Sequence, residues 1–240
     1  MARIDSFLKL GLTQGCSDVH LAVGVPPMLR LHGDLMPIKF RELGATEMES
    51  YIAEILSEAQ KLRFSKGHDL DFSYVSQEGG RFRVNVFRKE TGVGATFRNI
   101  PNNVPTIESL ELPSAIVNFC DLHQGMVLIT GSTGTGKSTT LAAMIDHLNT
   151  TRDLNIISLE DPIEFVFESK ESMISQREVG NDVDSFAHGL RSALRENPDI
   201  IFIGEMRDQE TAGMALTAAE TGHLVFGTLH TNSAAKTIDR

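Results

Sequence analysis

The residues Gly131 to Ser138, GSTGTGKS, fit the spacing GxxxxGK[ST], a pattern whose chemistry is the holding of phosphate. Glycines at 131, 134 and 136 let backbone N–H groups close on phosphate oxygens with no Cβ in the way, and Ser132, Thr133 and Thr135 complete the wrap. The apolar run Met126 to Thr130 precedes the loop and the helix-compatible STTLAAMIDHL follows it, so the anion would rest at the positive end of a helix. Lys137 would reach the β- and γ-phosphates of ATP, Ser138 would ligate Mg²⁺, and Thr139 would add a phosphate contact. No NKxD tetrapeptide, the guanine-reading signature, occurs in the chain, which argues against GTP.

Further chemistry is expected where short apolar runs end, because ligands of open α/β sheets sit beyond the carboxyl ends of the strands. MVLIT runs into the glycine loop, NIISLE into Glu160-Asp161 with Glu164 behind, DIIFIGE into Glu205, and LVFGTL into His230. Glu205 is suited to polarising the water that attacks a γ-phosphate. Glu160, Asp161 and Glu164 could hold Mg²⁺ or its waters, although Asp161-Pro162 also reads as an ordinary turn. His230 and His223 flank one apolar strand and could sense the γ-phosphate or shuttle a proton; a surface or core histidine is the plainer alternative.

A third group is basic: Arg81, Arg83, Arg88, Lys89 and Arg98 stand against the single acid Glu90. Arg81 and Arg83 lie two apart on a predicted strand and so share a face, opposite Phe82 and Val84. That face is either solvated or meets a phosphate supplied by another subunit, since arginine forks onto phosphate oxygens. In DSFAHGLRSALRENPD, a helix is expected with its cap at Asp184, carrying Arg191 and Arg195 on one stripe.

The elements that must position these groups fall into two sets. Residues 4–14 predict a helix, SDVHL a strand, and PPMLRLHGDL a second strand turning at Gly33-Asp34. A capping box at Thr46 to Glu49 starts a helix running to about Phe64. DLDFSYV and RFRVNVF alternate polar with apolar residues around Gly79-Gly80, which predicts a hairpin, with a further strand at Gly94 to Arg98. Residues 1–100 therefore read as a small α+β domain with an antiparallel sheet. The segment 101–114, with three prolines in PNNVPTIESLELP, reads as a linker. From 115 to 240, continuously apolar runs alternate with helical segments, the pattern of a parallel α/β sheet buried on both faces.

Composition narrows the function classes. The chain has 240 residues, 41% hydrophobic and 22% charged, with net charge −10. That apolar fraction supports a packed core, and the acidic balance speaks against nucleic acid as a partner, because tracking a phosphate backbone needs clustered Lys and Arg. No apolar run approaches the ~20 residues of a membrane helix and the N-terminus lacks a signal peptide's apolar region, so a cytoplasmic location without direct membrane insertion is expected. Cys16 and Cys120 have neither CxxC nor metal spacing and read as reduced thiols.

Together these segments resemble the secretion ATPase superfamily of type II and type IV pilus systems, and most closely its pilus-retraction, or twitching-motility, branch. GSTGTGKSTT looks like the Walker A segment, ISLEDPIEF the aspartate box, LRSALRENPDIIFIGEMRD the Walker B region and TAAETGHLVFGTLHTNSA the histidine box. SDVHL, PPMLRLHGDL and GRFRVNVF look like that family's N-terminal domain, so the resemblance covers essentially the whole chain. It implies a PAS-like N-terminal domain, a RecA-like P-loop ATPase core with a largely parallel sheet, and a homo-hexameric ring with ATP between domains and subunits. It further implies Glu205 as catalytic carboxylate alongside Lys137, Glu160 and Glu164 supporting Mg²⁺ and water, and His230 and His223 serving the γ-phosphate. Arginines of the 81–98 strands, Arg81, Arg83 and Arg98, would reach the nucleotide across the ring. Membrane association would come through inner-membrane platform proteins of the pilus.

Ser132 stands where family members commonly have proline, and Asn197 where aspartate is common. Extension and secretion members carry an additional N-terminal domain, so the start of this chain shortly before SDVHL favours retraction, and its stop at Arg240 is expected to be a truncation. An extension or secretion ATPase of the same superfamily, and a nucleotide-binding accessory module with weak hydrolysis, are the alternatives.

Overall fold

The computed structural model describes residues 2–101, 103–231 and 237, and the chain divides into two compact units, Met1–Asn102 and Asn103–Arg240. The last residues of the histidine box, 232–234, lie outside the described residues.

In the N-terminal unit, strand alternation builds a six-stranded antiparallel sheet of order β3-β2-β1-β6-β5-β4. The strands are β1 (Asp18–Ala22), β2 (Met28–Leu31), β3 (Asp34–Pro37), β4 (Leu70–Val75), β5 (Arg81–Lys89) and β6 (Gly92–Ile100). One face is apolar. Phe97 of β6 sits opposite Val19 of β1 and Val84 of β5, and all three are buried. Against this face pack α1 (Asp5–Thr13) and α2 (Ala45–Ile55) through Ile4, Leu8, Met48 and Ile52, each at most 2% exposed. The other face carries the alternate residues, so that Ser73, Arg83, Arg98, Asp18 and Arg30 form one cross-strand row.

In this unit local details depart from the sequence reading in three places. PPMLRLHGDL forms two strands, β2 and β3, rather than one. The helix expected to run to Phe64 breaks where Leu56 turns extended at φ −90° and ψ 135°, and α3 (Glu58–Ser65) starts afresh. There Ser57 Oγ accepts from the Gln60 N–H at 3.3 Å while Gln60 Oε1 accepts from the Ser57 N–H at 2.9 Å, a reciprocal cap that competes with a continuous helix. At the start of α2 the cap is Gly44, not Thr46; with no side chain to offer, it is served by Glu47, which accepts from the Gly44 N–H at 3.4 Å.

In the C-terminal unit five strands form a parallel sheet of order β7-β11-β10-β8-β9. They are β7 (Gly125–Thr130), β8 (Asn155–Glu160), β9 (Met173–Glu178), β10 (Ile200–Ile203) and β11 (Leu224–Leu229). The continuously apolar runs are explained by cover on both faces. Ile200 and Phe202 of β10 join the cluster of α5 (Lys137–Thr151) and α4 (Ala115–Cys120), whereas Ile201 and Ile203 join that of α6 (Phe186–Ala193) and α7 (Gln209–Glu220). The edge strand β9 escaped the sequence reading, because MISQRE has neither a continuous apolar run nor clean alternation. The α6 cap is Ser185, whose Oγ accepts from the His188 N–H at 3.1 Å, one residue beyond the expected Asp184. Among the described residues no helix is long and apolar enough to cross a membrane.

Candidate functional site

The glycine loop joins β7 to α5 at the carboxyl edge of the parallel sheet. Gly134 at φ 79° and Gly136 at φ 89° occupy the left-handed region, and Gly136 is the residue from which α5 starts. At Gly131 a Cβ would stand 2.7 Å from Thr135 Oγ1, so the loop closes only around glycine there. Ser132, Thr133, Gly134, Thr135 and Gly136 are exposed, while Ser138 and Thr139 are half-buried in the first turn of the fifteen-residue α5. Free N–H groups and the helix dipole make this terminus a seat for an anion. Lys137 is buried, and its Nζ donates to the Ser132 carbonyl at 2.9 Å, a carbonyl that also accepts from Thr135 Oγ1 at 2.8 Å. A phosphate oxygen in the loop is the stronger, charge-assisted acceptor for that ammonium.

Three other strands deliver titratable side chains to the same edge. Glu160 at the end of β8 is 4% exposed, and burial pushes its carboxyl up to about 7 against hydrogen bonds that favour the charged form. Those bonds come from Ser158 Oγ at 2.7 Å, Gln176 Nε2 at 3.0 Å and the Glu164 N–H at 3.5 Å. Glu164 itself is exposed. Beyond β10, Glu205 Oε1 lies 3.1 Å from His230 Nε2, and Oε2 accepts from Arg207 Nε at 2.8 Å. Arg207 also reaches Asp161 Oδ2 at 3.1 Å, and His230 Nδ1 lies 3.5 Å from Thr133 Oγ1 in the glycine loop. The ends of β7, β8, β10 and β11 are thus joined by one line of polar contacts.

The donor set suits a hard divalent cation shared with a nucleotide. Among the described residues no group of three or more His, Cys, Asp or Glu side chains is arranged to hold a metal. One hydroxyl, Ser138, with the carboxylate of Glu160 is the kind of sparse protein contribution Mg²⁺ accepts when phosphates and water complete its octahedron.

His223 stands apart from this edge. It precedes β11, and the six residues of that strand put it ~20 Å from the edge where His230 sits. Its Nδ1 instead lies 3.1 Å from the Ala218 carbonyl at the end of α7. A strand delivers opposite ends to opposite sheet edges, so flanking one strand separates the two histidines rather than pairing them. The basic residues belong to the N-terminal unit. Arg83 and Arg98 sit directly across from each other on β5 and β6, and Arg81 shares their strand face between Val75 and Ile100. Arg98 Nε donates to Asp18 Oδ1 at 3.0 Å, and Arg30 Nε is 3.8 Å from the other oxygen. Sequence reasoning missed Arg207, Gln176 and Asp18. For Arg207 a signal was available, since a cation two residues beyond a candidate catalytic carboxylate on an extended segment points the same way.

A glycine loop between a parallel strand and a long helix, with carboxylates and an imidazole gathered at the same sheet edge, defines the class: an α/β unit of the phosphate-loop type. The chain belongs to the type II/IV secretion system protein family, whose model matches residues 78–240. It is 52% identical over 237 residues to the type IV pilus retraction ATPase PilT of Pseudomonas aeruginosa, covering 99% of this chain and 69% of that protein. It is 51% identical over 214 residues to the twitching motility protein of Neisseria gonorrhoeae, covering 89% of this chain and 57% of that one. Among solved structures, the pilus retraction motor PilT with bound ADP superposes with a TM-score of 0.95 at 46% identity, over 100% of this chain and 70% of that one. The chain thus spans between 57% and 70% of the length of these relatives.

Proposed function

We propose that this chain is the larger part of an ATP-hydrolysing subunit of a motor that powers type IV pilus retraction. The observation that carries the reading is the meeting, at one sheet edge, of the Lys137 loop with Glu205 held beside His230. In this reading the loop N–H groups, Lys137 and Thr139 bind the phosphates of ATP, and Ser138 and Glu160, the latter through water, hold Mg²⁺. The metal supplies charge neutralisation at the phosphates when bound. Glu205 orients the attacking water and takes its proton, Glu164 supports that water, and His230 contacts the γ-phosphate side of the loop through its neighbour Thr133. The subunits form a homo-hexameric ring in the cytoplasm in which Arg81, Arg83 or Arg98 meets a neighbour's nucleotide. The ring works against inner-membrane platform proteins of the pilus.

The test is Mg²⁺-dependent ATP hydrolysis by the full-length native protein with two variants. Lys137→Ala is expected to lose productive nucleotide binding. Glu205→Gln is expected to bind ATP as the parent does and to lose turnover on the order of a hundredfold or more. Equal loss of binding in both variants would remove Glu205 from its catalytic role.

A further inference from the structure

Arg207 lies between two fixed points of backbone. The Met206 N–H donates to the Thr228 carbonyl of β11 at 3.0 Å, and Asp208 caps α7 by accepting from the Thr211 N–H at 2.8 Å. Its guanidinium is therefore presented by a held segment, and it spans two strands, with Nε on Glu205 and NH1 on Asp161. The side chains of Arg207, Glu205 and Asp161 are 54%, 23% and 36% exposed, a setting in which ion pairs add little to the stability of a fold. What the contact does is geometric. A free glutamate samples several rotamers, and catalysis by a carboxylate depends on holding one of them. A planar fork can hold two acceptors at a fixed angle, which a lysine ammonium cannot.

We infer that Arg207 is a positioning residue that orients Glu205 and ties it to the aspartate-box turn through Asp161. The assignment rests on the ATP-hydrolysing reading above. It makes the turn at Asp161 and the carboxylate at Glu205 one mechanical unit, so that a shift of the turn is passed to Glu205. The contacts of Arg207 are with Glu205 and Asp161 and not with the glycine loop, so its effect is expected in kcat rather than in nucleotide affinity.

The experiment uses the full-length native protein and four variants: Arg207→Gln, Arg207→Lys, Asp161→Asn, and Arg207→Gln combined with Asp161→Asn. Steady-state hydrolysis, ADP affinity and melting temperature are measured for each. The expected result is a kcat lowered on the order of ten- to a hundredfold in Arg207→Gln, with KM for ATP and the ADP Kd within about twofold of the parent. Arg207→Lys should recover only part of the loss, and Asp161→Asn should add nothing in the Arg207→Gln background, the mark of a shared interaction. An unchanged kcat in Arg207→Gln overturns the inference, as does a kcat loss matched by loss of ADP affinity or of melting temperature. Additive effects of the two substitutions overturn the tie to Asp161. A parent protein that hydrolyses no ATP overturns the functional reading itself, a result distinct from any difference among the variants.

Discussion

Asp18 shows what a single carboxylate can carry when its surroundings are polar but nearly closed to water. Its side chain is 5% exposed, and burial alone would raise its pKa. Hydrogen bonds from Arg98 and Ser17 more than offset this, so the group titrates below the 3.8 of an unperturbed aspartate. A folded-state pKa below the unfolded one contributes stability that is present above pH 3.8 and is lost as pH falls through the lower folded value. Arg98→Gln leaves burial to act with less opposition. Acid unfolding followed by circular dichroism should then begin at a higher pH, with a loss at neutral pH of about 1–2 kcal/mol, discounted because Arg98 is itself well exposed. An unchanged acid midpoint would mean that Ser17 and Arg30 suffice. At this scale, the residues of the glycine loop, Glu205 and His230 were legible because their chemistry is written in contiguous spacing. Asp18 and Gln176 were not, because Arg98 and Glu160 lie 80 and 16 positions from them, and for Arg207 only the spacing from Glu205 gave a signal, its tie to Asp161 spanning 46 positions.

Among the elements, β9 does more than widen the sheet. Gln176 accepts from the Phe167 N–H at 2.8 Å, and its amide donates to the Phe165 carbonyl at 2.8 Å and to Glu160. Glu178 accepts from the Ile163 N–H at 3.1 Å. The segment after β8 has no ladder partners of its own, so two side chains of β9 take over the backbone bonding that a strand or helix would have supplied. Gln176→Ala would strip the Phe167 N–H and the Phe165 carbonyl of their partner and remove one of the three hydrogen bonds to Glu160. Urea denaturation should record a loss of roughly 1–3 kcal/mol, the cost of leaving buried polar groups unpaired. A change below about 0.5 kcal/mol would show that water replaces the amide. The strands β7, β8, β10 and β11 were readable as buried parallel strands because each is apolar on both faces. An edge strand with polar work to do has no such signature, and β9 was missed for that reason. The break between α2 and α3 was readable in principle from Ser57 and Gln60, but the apolar spacing of Ile52, Ile55 and Leu56 argued for continuity and masked it.

For the whole molecule, division into an antiparallel α+β unit and a parallel α/β unit was legible from the change in period near residue 101, since alternation and continuous apolar runs imply different sheets. The ring is a proposal, and it has a direct test in mixed assemblies of the full-length protein. Subunits carrying Arg81→Ala and Arg83→Ala, combined with Glu205→Gln subunits, should regain ATP hydrolysis that neither kind has alone. Failure to regain it at any mixing ratio would confine each active site to one chain. The order of the parallel sheet has a quantitative consequence of its own. With β11 lying between β7 and β10, the strands that carry the loop and Glu205 are separated by two inter-strand spacings, about 10 Å, a gap bridged by the His230 imidazole between Thr133 and Glu205. The intervening strand acts as a gauge. Its presence sets the width of the gap, while its register, Leu229 beside Thr130, decides which side chain looks into it. A slip of one residue would keep the width and turn His230 to the other face, so reach and chemistry at this edge can vary independently.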